Sequence, residues 1–496
     1  MSASSTRSVT GSGNSWDDMN RNADRKVIGL GSKQIRLGCC IVFYLAFCLI
    51  FGVQMGADSA GYIRMIAARE PVYPLFLWLM RSIFGEVHYL WVVILLQNLL
   101  MAAAVWWSTE ELGRRFGLPD YVMAVMIAVH FGVACICQFL AERGAIYSNM
   151  IMTEGITISL WIIFMTLLLR AVLDADLKAL AAGLLLAAVM TDTRKQMAVA
   201  YITLPAAMFF GRMGKDGLRD HLKRLLVTLG GIVLSLLLAV GGTRLYNYVL
   251  RGDFAQNTRD MNLVLTTTLY AADPEDAALI EEEGVRELFT MTMDILAKSG
   301  SNYRYAGDGW RALEAHYEEH FDIITIDTTG DMYIEYAEKQ GFAAGIAAEQ
   351  EADRMSAVIV KSLFMDNLKT YLRIYGASVL NGLINTVAKR GSLLDWYALA
   401  VYPSYIVLML LCLRKKESRE AGLAGAFVLL AVLINVGVAA ALIFCQTRYM
   451  IYNMALFYVA GILMLWKYVC GRQRPDIQTG NGTTEGEQTM QRRSIG

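Results

Sequence analysis

The sequence predicts an all-α polytopic membrane protein with about ten transmembrane helices. Apolar residues make up 55% of the 496, charged residues only 18%, and the formal net charge is zero. The charged residues are gathered between apolar runs, most of which approach the roughly 20 residues that a helix needs to cross a bilayer. A nucleic-acid-binding protein would carry a clear excess of basic residues, so that class is excluded.

The apolar runs divide the chain into five parts. The predicted parts are a disordered cytoplasmic head (1–36), a transmembrane module of spans 1 to 7 (37–244), an extracytoplasmic helical domain (245–395), spans 8 to 10 (396–469) and a cytoplasmic tail (470–496). The head and the tail are polar and have no apolar period, which is typical of disorder. The fifth and sixth runs, at about 178–193 and 196–211, are short for a bilayer.

Basic residues indicate the orientation of the spans. Every loop that alternation places on the side of the head is basic, including Arg114-Arg115 and Arg414-Lys415-Lys416. The insert at 245–394 instead has 23 acidic side chains against 13 basic ones. The positive-inside rule therefore places both termini in the cytoplasm and the insert outside. The single N-x-[ST] site, at Asn481, lies in the predicted cytoplasmic tail. The predicted external insert therefore has no N-glycosylation site, which favours a bacterial plasma membrane over the endoplasmic reticulum.

The first external loop, residues 56–86, carries an acid close to a pair of prolines. Asp58, Tyr62 and Arg64 lie within about two helical turns of one another. The segment Pro71-Val72-Tyr73-Pro74 follows, and proline fixes φ and lacks an N–H, so we expect an extended elbow there. After the elbow an apolar helix resumes. The loop thus presents an acid at the water side of the membrane.

Ionisable residues gather at the predicted outer boundary of the membrane. They come from six segments and are Asp58 and Arg64, Glu142 and Arg143, Glu154, the group Asp192, Arg194 and Lys195, Arg244, and Arg448 beside Tyr449. Such residues are costly next to apolar spans and usually face a cavity or a partner. Any single one is also explained as an interfacial anchor whose charge reaches water. Together they suit an anionic substrate that enters from the lipid and reacts at the outer surface.

One motif in the insert matches a metal-binding pattern. His316 to His320 fits H-x-x-E-H, in which two histidines one turn apart bind zinc beside a glutamate base. Such a short pattern also arises by chance in acidic helices, and no third ligand stands at a known spacing. We therefore interpret these residues as a solvated helix face and predict no protein-bound zinc.

Four stretches resemble the GT-C glycosyltransferases, multi-span enzymes that take a sugar from a polyprenyl phosphate carrier. Asp58 and Tyr62 are followed by PVYPLFLWL, and Glu154 begins a span within MTEGITISLWIIFMTLLL. Arg194 lies in MTDTRKQMAVAYITLP, and Arg448 lies in QTRYMIYNMALFYVAG. The resemblance covers the spans, roughly two thirds of the chain, and not the insert.

The resemblance implies a sugar transfer from a polyprenyl-phosphate donor to a hydroxyl of a lipid, glycan or protein acceptor. Phosphate leaves as a stable anion, so the reaction needs a base near the incoming hydroxyl and cations over the phosphate. Asp58 is the expected base or acceptor-orienting group, with Glu154 as its rival, and transfer is expected to invert the sugar. The expected donor-phosphate ligands are Arg194, Lys195, Arg448 and Arg64, and the expected substrate-lining residues are Tyr62, Tyr73, Tyr449 and Arg143.

A divalent cation and two other functions stay open at this point. Protein mannosyltransferases have Asp-Glu in the first loop, whereas this chain has Asp58-Ser59, so Mg²⁺ or Mn²⁺ is neither required nor excluded. A lipid-linked glycan polymerase or ligase would use the same external arginines. A flippase or transporter would use them as a phosphate track, although transporters often show repeats and broken helices. Asp58 and Glu154 in one outward site beside Arg194 and Arg448 would favour transfer.

Overall fold

The described part of the protein is helical. The computed structural model describes residues 15–139, 147–212, 217–388 and 392–471. Within these ranges no strand occurs, and the one bridge pair, Gln54 with Met150, is isolated. The polypeptide therefore satisfies its backbone groups inside helices, as a chain in lipid must.

Seventeen α-helices lie in the described ranges. Those before the insert are α1 (Ser15–Phe51), α2 (Ser59–Ile63), α3 (Val72–Phe116), α4 (Asp120–Phe139), α5 (Glu154–Leu173), α6 (Leu177–Thr191), α7 (Ala200–Arg212) and α8 (Leu218–Arg251). The insert contains α9 (Asp260–Ala271), α10 (Glu283–Ser299), α11 (Trp310–Asp322), α12 (Thr329–Lys339), α13 (Ile346–Leu363) and α14 (Leu368–Val387). The last three are α15 (Ser392–Arg414), α16 (Arg419–Leu442) and α17 (Thr447–Cys470).

Eight of the helices in the described ranges are long and apolar enough to cross a membrane: α1, α3, α4, α5, α8, α15, α16 and α17. Helix α6 has 15 residues and α7 has 13. At about 1.5 Å per residue each is shorter than the roughly 30 Å of a bilayer's hydrocarbon core. These are the two runs that the sequence predicts to be short. The all-α multi-span class is confirmed, and the count of ten spans stays a prediction.

Helices α5 and α17, two of the eight helices long enough to cross a membrane, pack side by side. The hydroxyl groups of Thr157 and Tyr452 lie 2.8 Å apart and are both buried. A hydrogen bond between spanning helices fixes their register, because hydrocarbon offers no other partner. Glu154 at the start of α5 and Arg448 in the first turn of α17 consequently lie at the same end of the bundle.

The two prolines of the first loop lie at the beginning of α3, and the predicted extended elbow is wrong. Pro71 precedes the helix with φ −72° and ψ −33°, which are helical values, and Pro74 lies in the first turn. The N–H groups of a first helical turn have no acceptor inside the helix. A proline there loses no hydrogen bond, and its fixed φ suits the helix.

Helix α3 bends sharply at Gly85, whose φ of 72° and ψ of 169° are not helical. The Tyr73 hydroxyl donates to Gln97 Oε1 over 2.8 Å. In a straight helix these residues would stand about 36 Å apart, so the first part of α3 folds back along the second. Most of the predicted loop 56–86 is consequently helical.

The insert forms a helical domain with a core of its own. Leu288 and Phe289 on α10 and Ile359 on α13 are fully buried in this core, which the helices α9 to α14 share. Phe444, from the connection between α16 and α17, is buried in the same core. The insert therefore packs directly onto the segment that leads into α17.

The N-terminal helix starts earlier than the sequence predicts. Helix α1 begins at Ser15, within the head predicted to be disordered (1–36). Its membrane-side half is held by Arg36, which donates to Glu110 over 2.6 Å and to Asp120 over 2.8 Å. Helix α17 ends at Cys470, the first residue of the predicted tail. Residues 1–14 and 472–496 lie outside the described ranges.

Candidate functional site

The first loop is held against the segment that leads into α5. We call residues 52–71 the Asp58 loop. Its Gln54 N–H donates to the Asn149 carbonyl over 3.0 Å, and the Ile151 N–H donates back to Gln54 over 2.9 Å. The Ser59 hydroxyl donates to the Ile151 carbonyl over 2.8 Å. These bonds fix the position of the loop relative to the start of α5.

Gly56 permits the close approach of the Asp58 loop. A Cβ atom at this position would lie 2.1 Å from the sulfur of Met152, far inside van der Waals contact. Only glycine allows such a contact without displacing its neighbour. Asp58 follows two residues later and meets the residues at the start of α5.

Glu154 is a buried carboxylate between two arginines. Its Oε1 accepts from Arg448 Nε and forms an ion pair with Arg194 Nη1, which lies 2.9 Å away and itself donates to the Thr153 hydroxyl oxygen over 3.1 Å. Its Oε2 accepts from the Thr153 hydroxyl over 3.1 Å. A carboxylate in a first helical turn is also favoured by the helix dipole. Since an unpaired buried charge is strongly destabilising, we interpret Glu154 as the counter-ion that holds both guanidinium groups.

Arg448 joins the two predicted carboxylates. Its Nη2 donates to Asp58 Oδ2 over 2.6 Å, while its Nε donates to Glu154. These partners lie 390 and 294 residues away along the chain. The planar fork of a guanidinium suits two acceptors at once, which a lysine ammonium cannot match in geometry. Asp58 thus meets an arginine from the end of the chain directly, whereas Arg194, from its middle, joins the same group of charges through Glu154.

Tyr449 lies against both guanidinium groups of this site. Its ring centre is 5.2 Å from Arg194 Cζ and 5.6 Å from Arg448 Cζ, within the range of cation–π attraction. Its backbone carbonyl accepts from Gln196 and from Asn435, each over 2.9 Å. Arg194 Nε in turn donates to Gln196 Oε1 over 3.0 Å. Tyr449 thus supports the two arginines through both its ring and its backbone.

Arg69 is a site residue that sequence reasoning missed. Its Nη2 donates to Asp58 Oδ1 over 2.7 Å, and its guanidinium lies 5.0 Å from the ring centre of Tyr62. The predicted ligand Arg64 is exposed and lies outside this set of contacts. Met65 explains the difference, because its left-handed φ of 55° turns the chain after α2. A non-glycine residue in that conformation gives no clear signal in sequence.

Lys195 is directed toward the insert. It pairs with Glu70, at 3.8 Å, and with Asp260 at the start of α9. Burial raises the pKa of the Glu70 carboxyl even though the Lys195 ammonium opposes that change. Lys195 therefore links the Asp58 loop to the insert, and its predicted role as a phosphate ligand gains no support from this position.

The remaining predicted residues occupy three different settings. Tyr62 is buried beneath Arg69, with its ring edge-on to Tyr73 at 5.3 Å. Tyr73 is completely buried and bonded to Gln97, so it supports the Asp58 loop from behind. Arg143, like its neighbour Glu142, lies outside the described residues.

Five charged side chains form what we call the arginine–carboxylate cluster. They are Asp58, Arg69, Glu154, Arg194 and Arg448. Three guanidinium groups against two carboxylates leave one excess positive charge. The exposed side-chain fractions are 0% for Glu154, 10% for Arg194, 18% for Arg448, 23% for Asp58 and 28% for Arg69. The cluster is thus closed on the side of Glu154 and opens on the side of Asp58 and Arg69.

The arginines control the ionisation of Asp58. Burial opposes its ionisation, but the Arg448 and Arg69 guanidinium groups outweigh burial and lower the pKa of Asp58 from 3.8 to about 2. Burial likewise opposes the charge on Arg194, and the Glu154 carboxylate overcomes it, so the pKa of Arg194 lies above its ordinary value. Asp58 is consequently ionised at neutral pH. It becomes a useful base only when its guanidinium partners are drawn toward another anion.

The cluster does not fit a divalent cation in this arrangement. Both oxygens of Asp58 accept from arginines, and Arg448 stands between Asp58 and Glu154 where a metal bridging them would have to lie. No group of three histidine, cysteine, aspartate or glutamate side chains suited to a metal occurs in the described part of the chain. A second positive charge between these carboxylates would also be repelled by the guanidinium groups.

The histidine pair of the insert is bonded within its own domain. His316 Nδ1 lies 2.8 Å from the Tyr270 hydroxyl, and His320 Nδ1 lies 2.9 Å from the His316 carbonyl. The two rings stack with their centres 4.0 Å apart. The described residues bring no third metal ligand to this pair, so it gives the zinc-protease interpretation no support.

Comparisons with protein-family models, with curated proteins and with solved structures each found no match to this chain. The chemistry open to the cluster follows from its geometry. Within the described ranges Arg448 Nη1 has no hydrogen-bond partner, and Arg448 and Arg69 are partly exposed. The open side can accept an anion that has several acceptor oxygens, and guanidinium donors suit phosphate above all.

Proposed function

We propose that this chain is a membrane glycosyltransferase that moves a sugar from a polyprenyl-phosphate donor to an acceptor hydroxyl. The observation that carries the proposal is the bridge of Arg448 between Asp58 and Glu154, with Arg69 and Arg194 beside it. A partly open carboxylate next to phosphate-binding cations is the combination that such a transfer requires. Apolar helices around the cluster suit a donor that arrives through lipid.

The proposed reaction is a single displacement at the anomeric carbon. The acceptor oxygen forms a bond to that carbon while the bond from the carbon to the phosphate oxygen breaks. Both bonding electrons leave with the polyprenyl phosphate, which is a stable anion and needs no proton from the protein. The acceptor hydroxyl loses its proton to Asp58. Because no covalent sugar–enzyme intermediate forms, the configuration at the anomeric carbon inverts.

Donor binding itself would prepare Asp58 for this role. A phosphate at the open side competes with Asp58 for the donors of Arg448 and Arg69. As the guanidinium groups turn toward phosphate, the pKa of Asp58 rises from about 2 toward its ordinary value. Glu154 stays buried against Arg194 and keeps the two inner arginines in place. The base thus gains proton affinity only when the donor is bound.

The proposed site faces the extracytoplasmic side of a bacterial plasma membrane. The basic loops predicted for the opposite side include Arg114-Arg115 and Arg414-Lys415-Lys416. The Asp58 loop and the acidic insert then share the other face. The acceptor at this face is a lipid, a glycan or a protein, and it reaches the open side of the cluster from water or from the outer leaflet.

The test is sugar transfer in proteoliposomes from a panel of labelled polyprenyl-phosphate hexoses and pentoses. We expect Asp58→Asn and Arg448→Lys to lower the initial rate by about 100-fold, the usual effect of losing one such group. Arg64→Lys is the matched control, because Arg64 is exposed outside the cluster, and it should keep the full rate. Full transfer by Asp58→Asn would overturn the role of Asp58.

Two further arms separate the other chemistries. A polyprenyl-diphosphate glycan in the same panel detects a polymerase or ligase, and appearance of an unaltered labelled lipid in the opposite leaflet detects a flippase. Either result without transfer from any polyprenyl-phosphate sugar would overturn the proposal. Mass spectrometry of cell-envelope glycans with and without the gene then identifies the sugar and the acceptor.

A further inference from the structure

The connection between α16 and α17 is built into the core of the insert. Phe444 is buried there, with its ring centre 5.1 Å from that of Phe321 and 6.5 Å from that of Tyr317. Asn385 Nδ2, on α14, donates to the neighbouring Cys445 carbonyl over 2.8 Å. The Phe444 side chain and the Cys445 carbonyl of the α16–α17 connection are thus held by two helices of the insert, α11 and α14.

The same phenylalanine also reaches the cluster. The rings of Phe444 and Tyr449 meet edge to face with their centres 6.4 Å apart. Tyr449 is the residue whose ring lies against the guanidinium groups of Arg194 and Arg448. A continuous series of ring contacts therefore runs from the core of the insert, through Phe444 and Tyr449, to two arginines of the cluster.

A second contact ties the insert to the other arginine-bearing segment. Lys195, which follows Arg194, pairs with Asp260 in the first turn of α9. The start of α9 is in turn capped from α13, because Asp353 Oδ1 accepts from the Met261 N–H over 3.2 Å. The insert therefore contacts the chain beside each of the arginines that hold Glu154.

We propose that the insert is a positioning domain for the donor arginines and that Phe444 is its positioning residue. This inference rests on the proposed function for the identity of the ligand, a polyprenyl phosphate, and on the ring contacts for the mechanism. Phe444 holds the Tyr449 ring, and that ring fixes the two guanidinium groups in the arrangement that receives phosphate. Packed side chains with one arrangement transmit position in this way.

The first test needs no substrate. Hydrogen–deuterium exchange is measured on the full-length protein for the backbone of 192–199 and 446–450 in Phe444→Leu and Phe444→Ala. We expect faster exchange in both segments, because the ring that supports Tyr449 is lost, and Leu keeps enough apolar volume to preserve the fold. Phe289→Leu is the control, since Phe289 is buried in the same core on α10, and it should change exchange only within the insert.

The second test is kinetic and uses the polyprenyl-phosphate sugar that wild type accepts. Phe444→Leu should raise KM for the donor by about tenfold and leave kcat within about twofold, as expected when ligands are misplaced before the chemical step. The acid limb of its kcat/KM profile should also lie at higher pH than in wild type. A displaced Arg448 lowers the pKa of Asp58 less, so Asp58 becomes protonated at a higher pH. Phe444→Tyr keeps the ring and should restore the wild-type KM.

The outcomes separate this inference from the proposed function. Unchanged exchange at 192–199 and 446–450 in both Phe444 variants would overturn the positioning role, whatever wild type catalyses. If Phe444→Leu and Phe289→Leu change kcat and KM to the same extent, the positioning role is also overturned. That result would report a general destabilisation of the insert. Faster exchange together with no transfer by wild type would support the positioning role while overturning the proposed function.

Discussion

Arg448 shows how a single side chain organises this site. Its guanidinium donates to two carboxylates, Asp58 in the Asp58 loop and Glu154 at the start of α5. Replacing it with lysine keeps the charge and loses the fork, so the bridge between the two carboxylates would be lost, although Arg69 still donates to Asp58 and Thr153 to Glu154. The open end of the same guanidinium is the part that we assign to donor phosphate.

Arg69 offers a test of the ionisation of Asp58. Arg69→Gln removes one of the three arginine cations that lower the pKa of Asp58, so this pKa should rise from about 2 toward 3.8. Asp58 must be ionised to accept a proton, and activity is lost as pH falls through its pKa. The acid limb of kcat/KM should therefore move to higher pH in the variant, measured between about pH 2 and pH 7 in proteoliposomes.

The control for this measurement is Arg64→Gln, which removes a positive charge from the same loop outside the cluster. Its acid limb should coincide with that of wild type. An equal displacement of the limb in both variants would mean that net charge of the loop, and not the direct bond from Arg69, controls Asp58.

At the scale of elements, the site depends on how the Asp58 loop is seated. The loop exchanges backbone hydrogen bonds with the segment before α5, through Gln54 and Ile151. Its other end continues into α3, which bends back at Gly85 and places Tyr73 against Gln97. One end of the loop is thus held by the segment before α5, and the other end is held by α3, into which it continues.

Gly56→Ala tests this seating. The added methyl would overlap Met152, so either the sulfur moves or the loop shifts away from the start of α5. We expect a fall of about tenfold or more in transfer rate and a lower melting temperature, as for other steric insertions into a packed contact. The measurements are initial rates and thermal unfolding in the same detergent.

Gly38→Ala is the matched control for the loop variant. Gly38 lies within α1, and nothing stands within 4 Å of a Cβ placed there. Alanine is favoured over glycine inside a helix by about 1 kcal/mol, so this variant should be as stable as wild type or more stable, with an unchanged rate. Equal behaviour of the two alanine variants would show that the Asp58 loop tolerates displacement.

At the scale of the whole molecule, charge and hydropathy agree on one orientation. Eight helices in the described ranges are long enough to cross a bilayer, and α6 and α7 are the only two predicted spans that are shorter than its hydrocarbon core. An even number of spans, eight or ten, would leave both termini on the same side of the membrane. The positive-inside rule then predicts that the arginine–carboxylate cluster and the insert lie on the opposite side.

Cysteine labelling in intact cells tests this orientation. Asp308 in the insert and Glu417 in a basic loop are both exposed. In a background without the native cysteines, Asp308→Cys should react with a membrane-impermeant maleimide in intact cells. Glu417→Cys should react only after lysis. Labelling of both before lysis, or of the opposite one, would contradict the assigned topology.

The sequence by itself determined the membrane class, the predicted orientation and the helical nature of the insert. Hydropathy, charge bias and helical period are properties of short stretches of sequence, so they can be recognised without any knowledge of packing. It also indicated that Asp58, Glu154, Arg194 and Arg448 belong together, since costly charges at one membrane boundary must find partners. The structure joins these four in one series of ion pairs, from Asp58 through Arg448 and Glu154 to Arg194.

Only the tertiary structure decided which neighbours complete the cluster. Arg69 replaces Arg64 because the chain reverses at Met65 with a left-handed φ, and Lys195 turns to Asp260 because the insert packs beside it. The ring of Phe444 reaches Tyr449 for the same reason. These contacts depend on dihedral angles and on the docking of segments far apart in the chain, and neither property is written in local composition or spacing.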